Sequence, residues 1–213
     1  KNIYTMIRQL ADRGLPTSIS TNFHPFNEKS VDEIIASGLT WVLVCIDGAT
    51  QASYEKYRIG GNLKKVTGNL KKLIDRKRET GSRHPTVEAQ CVIFDHNRDE
   101  IEDIRNMCLS LGVDRFTAKE DVFTQLDMSD AKKPMNPPKR PCYFLYGSLM
   151  VDYDGVVVPC CLGRYEFGNL MESSFEEIWN NDKFVAARRW FASGFTEKDE
   201  EFDLPCYNCP LFM

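Results

Sequence analysis

Four cysteines in the C-terminal third of the chain have a spacing that suits a metal centre. Cys206 and Cys209 form a Cys-x-x-Cys pair, whose turn can direct both sulfurs toward one metal. Cys142 and Cys160 lie on either side of a β-hairpin pattern, and their sulfurs would complete a four-thiolate site. Such a site suits zinc or an iron–sulfur cluster, and the spacing does not choose between them. A redox-active Cys-x-x-Cys pair and unrelated buried thiols are the alternatives.

The remaining cysteines have simpler interpretations. Cys91 falls on a predicted strand and Cys108 on the apolar face of a predicted helix, so we interpret both as small core residues. Cys161 is interpreted as the neighbour of a ligand, and Cys45 as either a core residue or a cofactor contact. Because no secretory signal is recognised, the clustered cysteines favour metal binding or catalysis over a disulfide framework.

Composition excludes several classes of protein. The 213 residues include 27 Lys and Arg against 31 Asp and Glu, and the net charge of −4 argues against a general nucleic-acid binder. No apolar run reaches the roughly 18 residues that a membrane span requires. With 42% hydrophobic residues, the chain has enough apolar side chains to build a core. We therefore expect a cytoplasmic globular protein whose partners include neither nucleic acid nor a membrane.

Residues 1–124 alternate between helical and strand patterns. The apolar run from Trp41 to Ile46 is typical of a parallel strand that is buried on both faces. Strands that alternate with helices indicate βα units and a parallel sheet, as a barrel or an open sheet. The predicted strands are residues 17–21, 41–46, 87–94 and 113–118, and the predicted helices lie around residues 3–10, 31–35, 63–74 and 101–111.

The pattern changes near residue 125. Residues 125–141 contain four prolines and no apolar periodicity, which indicates a linker. Two short apolar runs, 149–151 and 156–158, then flank Asp154-Gly155 and predict a β-hairpin. Ser174 and Glu177 form a capping box that predicts the start of a helix. The chain is thus expected to contain a domain of residues 1–124, a linker of residues 125–141 and a domain of residues 142–213.

The cysteine-rich tail resembles the SPASM/twitch domain of radical S-adenosylmethionine (radical SAM) enzymes. That domain has the pattern Cys, then Gly-x4-Cys, then a distant Cys-x-x-Cys, which Cys142, Gly155, Cys160 and the pair Cys206/Cys209 match. The front half is similar to the (β/α)6 barrel of the same family. The segments that carry the resemblance are 20–22, 45–48 with Tyr57-Arg58, and 90–97 in the barrel, and 167–170 and 175–179 in the tail.

The resemblance implies an α/β fold, with a partial (β/α)6 radical SAM barrel that lacks its first strands. A small α+β SPASM/twitch domain with a β-hairpin follows. The resemblance also implies an auxiliary 4Fe–4S cluster, and four cysteine positions resemble the single-cluster twitch variant. The cluster ligands would be Cys142, Cys160, Cys206 and Cys209. The cofactor contacts would be Asn22, Cys45, Asp47, Arg58 and Gln90.

The chain departs from the family pattern at two places. Cys45 stands where the family usually has Ser, and the chain contains neither the Cys-x3-Cys-x2-Cys triad of the catalytic cluster nor a Gly-Gly-Glu motif. We therefore expect this chain to begin after both motifs and to be inactive alone.

By resemblance, the intact enzyme is an oxidoreductase or maturase that binds S-adenosylmethionine and a second 4Fe–4S cluster. Reduced by a protein such as flavodoxin or ferredoxin, it would use a 5′-deoxyadenosyl radical to modify or oxidise a peptide, protein or small molecule. The alternative is a non-catalytic zinc or iron–sulfur module, on a degenerate barrel, that binds a partner.

Overall fold

The computed structural model describes residues 3–121, 142–161 and 165–209. The chain divides into two units, residues 1–123 and 124–213, and each has its own hydrophobic core. The predicted linker, residues 125–141, lies outside the described residues. None of the described helices combines the length and the apolar character needed to cross a membrane.

The N-terminal unit alternates helices with strands, as the sequence patterns predict. Two elements were missed by those patterns: the short helix α3 and a 3₁₀ turn, Arg98–Glu100. In chain order the elements are α1 (Ile3–Ala11), β1 (Ser18–Thr21), α2 (Glu28–Ala36), β2 (Trp41–Cys45), α3 (Gln51–Tyr57), α4 (Leu63–Thr80), β3 (Thr86–Ile93), α5 (Ile101–Leu111) and β4 (Arg115–Glu120).

Strands β1 to β4 form one parallel sheet in sequence order, so the predicted α/β architecture is confirmed. The register places Cys45 of β2 beside Gln90 of β3, and Gln90 beside Thr117 of β4. Because all four strands run the same way, their carboxyl ends meet at one edge of the sheet. Residues that follow different strands are therefore brought to a common place.

One face of this sheet holds the core of the unit. Val42 and Val44 of β2 are fully buried and belong to the same apolar cluster as Leu70 of α4 and Ile104 of α5. The other residues of β2 are only half-buried. The prediction that β2 is buried on both faces is therefore wrong. Burial alternates along this apolar run, because the helices cover one face of the strand while the other face borders an open cavity.

The C-terminal unit is a small α+β structure. The predicted hairpin is confirmed, since β5 (Met150–Val151) pairs antiparallel with β6 (Val156–Val158) across Gly155, which has a φ of +87°. The sequence patterns missed a third strand and a short helix after Cys142. The remaining elements are α6 (Tyr143–Gly147), β7 (Gly168–Asn169), α7 (Phe175–Trp179), α8 (Asp182–Ala192) and a 3₁₀ turn (Pro205–Asn208).

The predicted capping box at the start of α7 is also confirmed. The Ser174 hydroxyl accepts from the backbone N–H of Glu177, and the Glu177 carboxylate accepts from the backbone N–H of Ser174. The hydrogen bonds that the backbone N–H and the hydroxyl of Ser174 donate to the Glu177 carboxylate lower the pKa of Glu177 below its ordinary value. The core of the unit packs Leu145 of α6, Val157 of β6 and Phe184 of α8 together.

Candidate cofactor pocket and metal centre

Asn22 lies at the carboxyl edge of the sheet, directly after β1. Its side-chain oxygen accepts from the backbone N–H of His24 at 3.1 Å, which closes an Asx turn. The next residue, Phe23, is fully buried and adopts a φ of +58°, a conformation that is costly for a bulky residue. Stacking against Phe26, at 3.9 Å between ring centroids, and a hydrogen bond from Asn69 to its carbonyl hold it there.

Helix α3 determines the path of the chain after β2. Thr50 and Ser53 form its capping box, a signal that could have revealed this helix in the sequence. Gly48 allows α3 to approach the strand closely, since a Cβ at this position would lie 2.3 Å from the backbone nitrogen of Tyr54. Helix α3 ends at Tyr57, and Arg58 is its C-cap. Gly61 permits the tight turn that follows, because a Cβ there would lie 2.7 Å from the Arg58 carbonyl oxygen.

Asp47 and Arg58 form an ion pair in which the carboxylate is buried and the guanidinium is partly exposed. The Asp47 side chain is fully buried and accepts from Arg58 Nε at 2.6 Å and from the Val92 backbone N–H at 2.8 Å. Burial lowers the pKa of Arg58, but the charge and the hydrogen bond of Asp47 outweigh it and leave that pKa raised. Asp47 is thus engaged by the protein itself. The Arg58 side chain keeps 25% of its surface exposed, and among the described residues Nε makes its only hydrogen bond.

Cys45 and Gln90 are register neighbours at the carboxyl ends of β2 and β3. The Cys45 sulfur lies 3.6 Å from the Ser20 hydroxyl of β1, and the Gln90 amide donates to Thr117 Oγ1 at 3.4 Å. Both side chains are half-buried on the face of the sheet opposite the core.

Four of the five predicted cofactor contacts therefore form two pairs, Asp47 with Arg58 and Cys45 with Gln90. In the described residues, Asn22 makes no hydrogen bond to any of them. An amide oxygen in this set could accept hydrogen bonds from the ammonium group of a ligand. The two terminal guanidinium nitrogens of Arg58 could donate to its carboxylate, so the arrangement suits a zwitterionic ligand.

The sequence interpretation missed a buried carboxylate on the same sheet face. Glu88 of β3 is only 5% exposed, and Thr117 Oγ1 donates to its Oε1 at 2.6 Å. A charged residue inside a strand whose other residues are all uncharged is the signal that could have found it.

The four predicted ligand cysteines lie at the ends of different elements of the C-terminal unit. Cys142 directly precedes α6, and Cys160 follows β6 after one proline. Cys206 lies in the last 3₁₀ turn, and Cys209 is its C-cap. Arg188 of α8 helps to hold α6, because its guanidinium donates to the Leu145 carbonyl at 2.9 Å.

The surroundings of Cys206 relate the four thiols to one another. Burial raises the pKa of Cys206 well above its ordinary value, and the nearby Cys160, Cys209 and Cys142 raise it further, in that order. The thiols of Cys160, Cys209 and Cys142 therefore lie close enough to Cys206 to act on its ionisation. Within residues 3–121, 142–161 and 165–209, no three His, Cys, Asp or Glu side chains lie at distances that would already hold a metal ion. The donor type suits an iron–sulfur or zinc centre, for which the sulfurs would close in on the metal.

The cysteines of the N-terminal unit have a different environment. Cys91 and Cys108 are fully buried in its core, and burial raises the pKa of each thiol to about 12. Cys161 is exposed. The interpretation of Cys91 and Cys108 as core residues agrees with this burial.

Comparisons with known proteins bear on both units. Residues 142–210 match the SPASM family, an iron–sulfur cluster-binding domain. The chain is 25% identical over 252 aligned positions to the tungsten-containing aldehyde ferredoxin oxidoreductase cofactor-modifying protein of Pyrococcus furiosus. That match covers 97% of this chain and 68% of the Pyrococcus protein.

Among solved structures, the fold is similar to that of Streptococcus suis SuiB. The TM-score is 0.65 at 12% identity, over 88% of this chain and 54% of SuiB. SuiB bound to S-adenosylmethionine gives a TM-score of 0.64 at 12% identity, over 98% of this chain and 56% of SuiB. This chain thus spans about half the length of SuiB. These likenesses identify residues 142–210 as a match to an iron–sulfur cluster-binding domain and show that the chain as a whole is similar in fold to SuiB.

Proposed function

We propose that this chain belongs to a radical SAM enzyme in which Cys142, Cys160, Cys206 and Cys209 bind an auxiliary 4Fe–4S cluster. The match of residues 142–210 to an iron–sulfur domain carries the proposal, because all four cysteines lie inside it. The burial of Cys206 among the other three supports the same ligand set. Buried thiolates repel one another, and a metal centre would remove that repulsion.

S-adenosylmethionine would bind at the carboxyl edge of the parallel sheet. Arg58 is suited to the carboxylate of its methionine part, since no described residue accepts from its two terminal nitrogens, which could then make a bidentate contact. Asp47 would orient Arg58, and Cys45, Gln90 and Asn22 would line the pocket. Next to a reduced 4Fe–4S cluster, bound S-adenosylmethionine would supply the radical chemistry, a 5′-deoxyadenosyl radical for hydrogen-atom abstraction from the substrate.

The relatives indicate the class of substrate only in broad terms. SuiB has been solved with a precursor peptide, SuiA, and the Pyrococcus protein is described as modifying a cofactor. We propose that this enzyme modifies or oxidises a peptide or a small cofactor-like molecule. A one-electron donor such as flavodoxin or ferredoxin would reduce it. We propose that the enzyme is cytoplasmic, because the cytoplasm keeps such thiolates reduced.

The ligand assignment is tested by comparing two adjacent cysteines. The native chain, Cys160→Ala and Cys161→Ala are purified anaerobically and supplied with ferrous iron and sulfide. We expect about four iron atoms per chain and a brown charge-transfer spectrum for the native chain and for Cys161→Ala. Cys160→Ala should lose most of both, because one of four thiolate ligands is absent.

Two results would contradict this proposal. If Cys160→Ala retained iron and Cys161→Ala lost it, Cys161 and not Cys160 would be the cluster ligand. A colourless chain that takes up zinc in preference to iron and sulfide would favour a zinc module without redox chemistry.

A further inference from the structure

A cavity of about 550 Å³ opens on the sheet face opposite the core. Its volume is in the range of roughly 300–1,000 Å³ that small-molecule sites occupy. The walls are partly apolar, through Trp41 and Leu43 of β2, and partly hydroxylic, through Ser18 and Ser20 of β1. Among the described residues that line the cavity, Glu88 is the one acidic side chain.

Glu88 is held in place by a short polar chain that crosses two strands. Thr117 Oγ1 accepts from the Gln90 amide at 3.4 Å and donates to Glu88 Oε1 at 2.6 Å. The hydroxyl therefore has its proton directed at Glu88. No described residue donates to the other carboxylate oxygen.

No described cation neutralises this carboxylate. Arg115 is the register partner of Glu88 on β4, but its guanidinium lies 5.0 Å from the centroid of the Trp41 ring and forms no ion pair with Glu88. A carboxylate that is only 5% exposed and unpaired is costly, and a bound cation would remove that cost. The apolar walls beside it suit a stem that carries the cation.

We propose that Glu88 is the recognition carboxylate of a substrate cavity for a cationic nitrogen group, an ammonium, amidinium or guanidinium, on an apolar stem. Its position supports a substrate role, a step that rests on the proposed function. Glu88 precedes the candidate cofactor contact Gln90 by two residues on the same strand face, which is roughly 7 Å. A substrate anchored at Glu88 would thus extend toward the cofactor pocket.

The probe is benzamidine, a planar amidinium on an apolar ring, with neutral benzamide as its matched isostere. Calorimetric titration of the native chain should detect benzamidine and not benzamide. Glu88→Gln should weaken benzamidine binding at least about tenfold, through loss of a charge-assisted hydrogen bond. The matched control, Glu102→Gln on the exposed surface of α5, should leave binding unchanged. Thr117→Val should weaken it less than Glu88→Gln, because the carboxylate stays while its orienting donor is removed.

The comparison of the two probes on the native chain needs no variant, so the test survives if Glu88→Gln folds poorly. Equal binding of benzamide and benzamidine would overturn the proposal, as would unchanged binding by a folded Glu88→Gln chain. Binding that appears only in Arg115→Gln would also overturn it, because Arg115 would then be the partner of Glu88. None of these measurements uses iron or S-adenosylmethionine. A native chain that prefers benzamidine but fails the iron test would support the cavity and reject the proposed function.

Discussion

At the scale of single residues, the strongest constraint near the cofactor pocket is the Asp47–Arg58 pair. Asp47 is fully buried, and its two oxygens accept from Arg58 and from the Val92 backbone. Its backbone carbonyl in turn accepts from the buried Asn97 side chain at 3.0 Å. One carboxylate thus joins the loop after β2, the end of α3 and the end of β3. A charge placed so deeply is tolerated because it is paired, and it becomes a liability when its partner is removed.

We predict that Arg58→Met destabilises the N-terminal unit by about 3 kcal/mol, because it leaves Asp47 buried without a cation. Asp47→Asn together with Arg58→Met should recover part of that loss, since the double variant removes the buried charge. The control is Arg98→Met, which breaks the half-exposed pair with Glu120 and should cost under about 1 kcal/mol. Urea unfolding followed by circular dichroism measures all three. Equal losses for Arg58→Met and Arg98→Met would contradict this account of Asp47.

At the scale of elements, the hairpin of β5 and β6 leads the chain to Cys160. Its turn depends on Gly155, which has a φ of +87° and whose added Cβ would lie 2.6 Å from Asn169 Oδ1 on β7. The Asn169 side chain also accepts from the backbone N–H of Met171 at 2.8 Å. The turn and the third strand therefore share one tightly packed corner.

We predict that Gly155→Ala lowers the melting temperature of the C-terminal unit and reduces iron retention after reconstitution. Two costs add here, the left-handed backbone and the collision with Asn169. Gly14→Ala is the control that carries the backbone cost without the collision, because Gly14 has a φ of +72° but nothing lies within 4 Å of an added Cβ. Only the backbone cost, of about 1 kcal/mol, should appear for Gly14→Ala. If both variants cost the same, the packing at Asn169 is not important.

At the scale of the whole molecule, the two units have separate cores. The N-terminal core gathers around β2, β3 and the helices that cover them, whereas the C-terminal core gathers around Leu145, Phe167 and Phe184. Cys206 belongs to the second core and Cys108 to the first. A metal centre on the four cysteines would contribute directly to the folding of the small second unit, as in other small metal-binding domains.

We predict that Cys206→Ala raises amide hydrogen exchange throughout residues 142–209 and leaves residues 3–121 unchanged, in chain that has been reconstituted with iron and sulfide. Cys108→Ala is the matched control and should raise exchange only in residues 3–121, because it opens a small cavity in the other core. Mass spectrometry of the exchanged peptides distinguishes the two patterns. Protection lost in both units of Cys206→Ala would contradict independent cores.

Local signals in the sequence determined most of the elements. Apolar periodicity predicted α1, α2, α4 and α5 and all four parallel strands, because these elements are long enough for a pattern to repeat. Asp154-Gly155 and the Ser174 capping box predicted their turn and helix start through contacts within a few residues. Short elements such as α3, α6 and β7 were missed because so few residues show no period. The spacing of the cysteines and their likeness to a known domain indicated the candidate metal centre, and the ligand set itself stays a prediction.

The tertiary structure decided what depends on residues far apart in the chain. Asp47 is predicted from the sequence to contact the cofactor, and only the fold shows that its carboxylate accepts from both Arg58 and the Val92 backbone. Trp41 to Cys45 read as a strand buried on both faces, and only the placement of the helices on one face exposed the other. The buried carboxylate of Glu88 received a hydroxyl donor because the β3–β4 register places Thr117 two residues beyond its partner Arg115. Register and burial arise from packing between segments dozens of residues apart, and that information is absent from any short stretch of sequence.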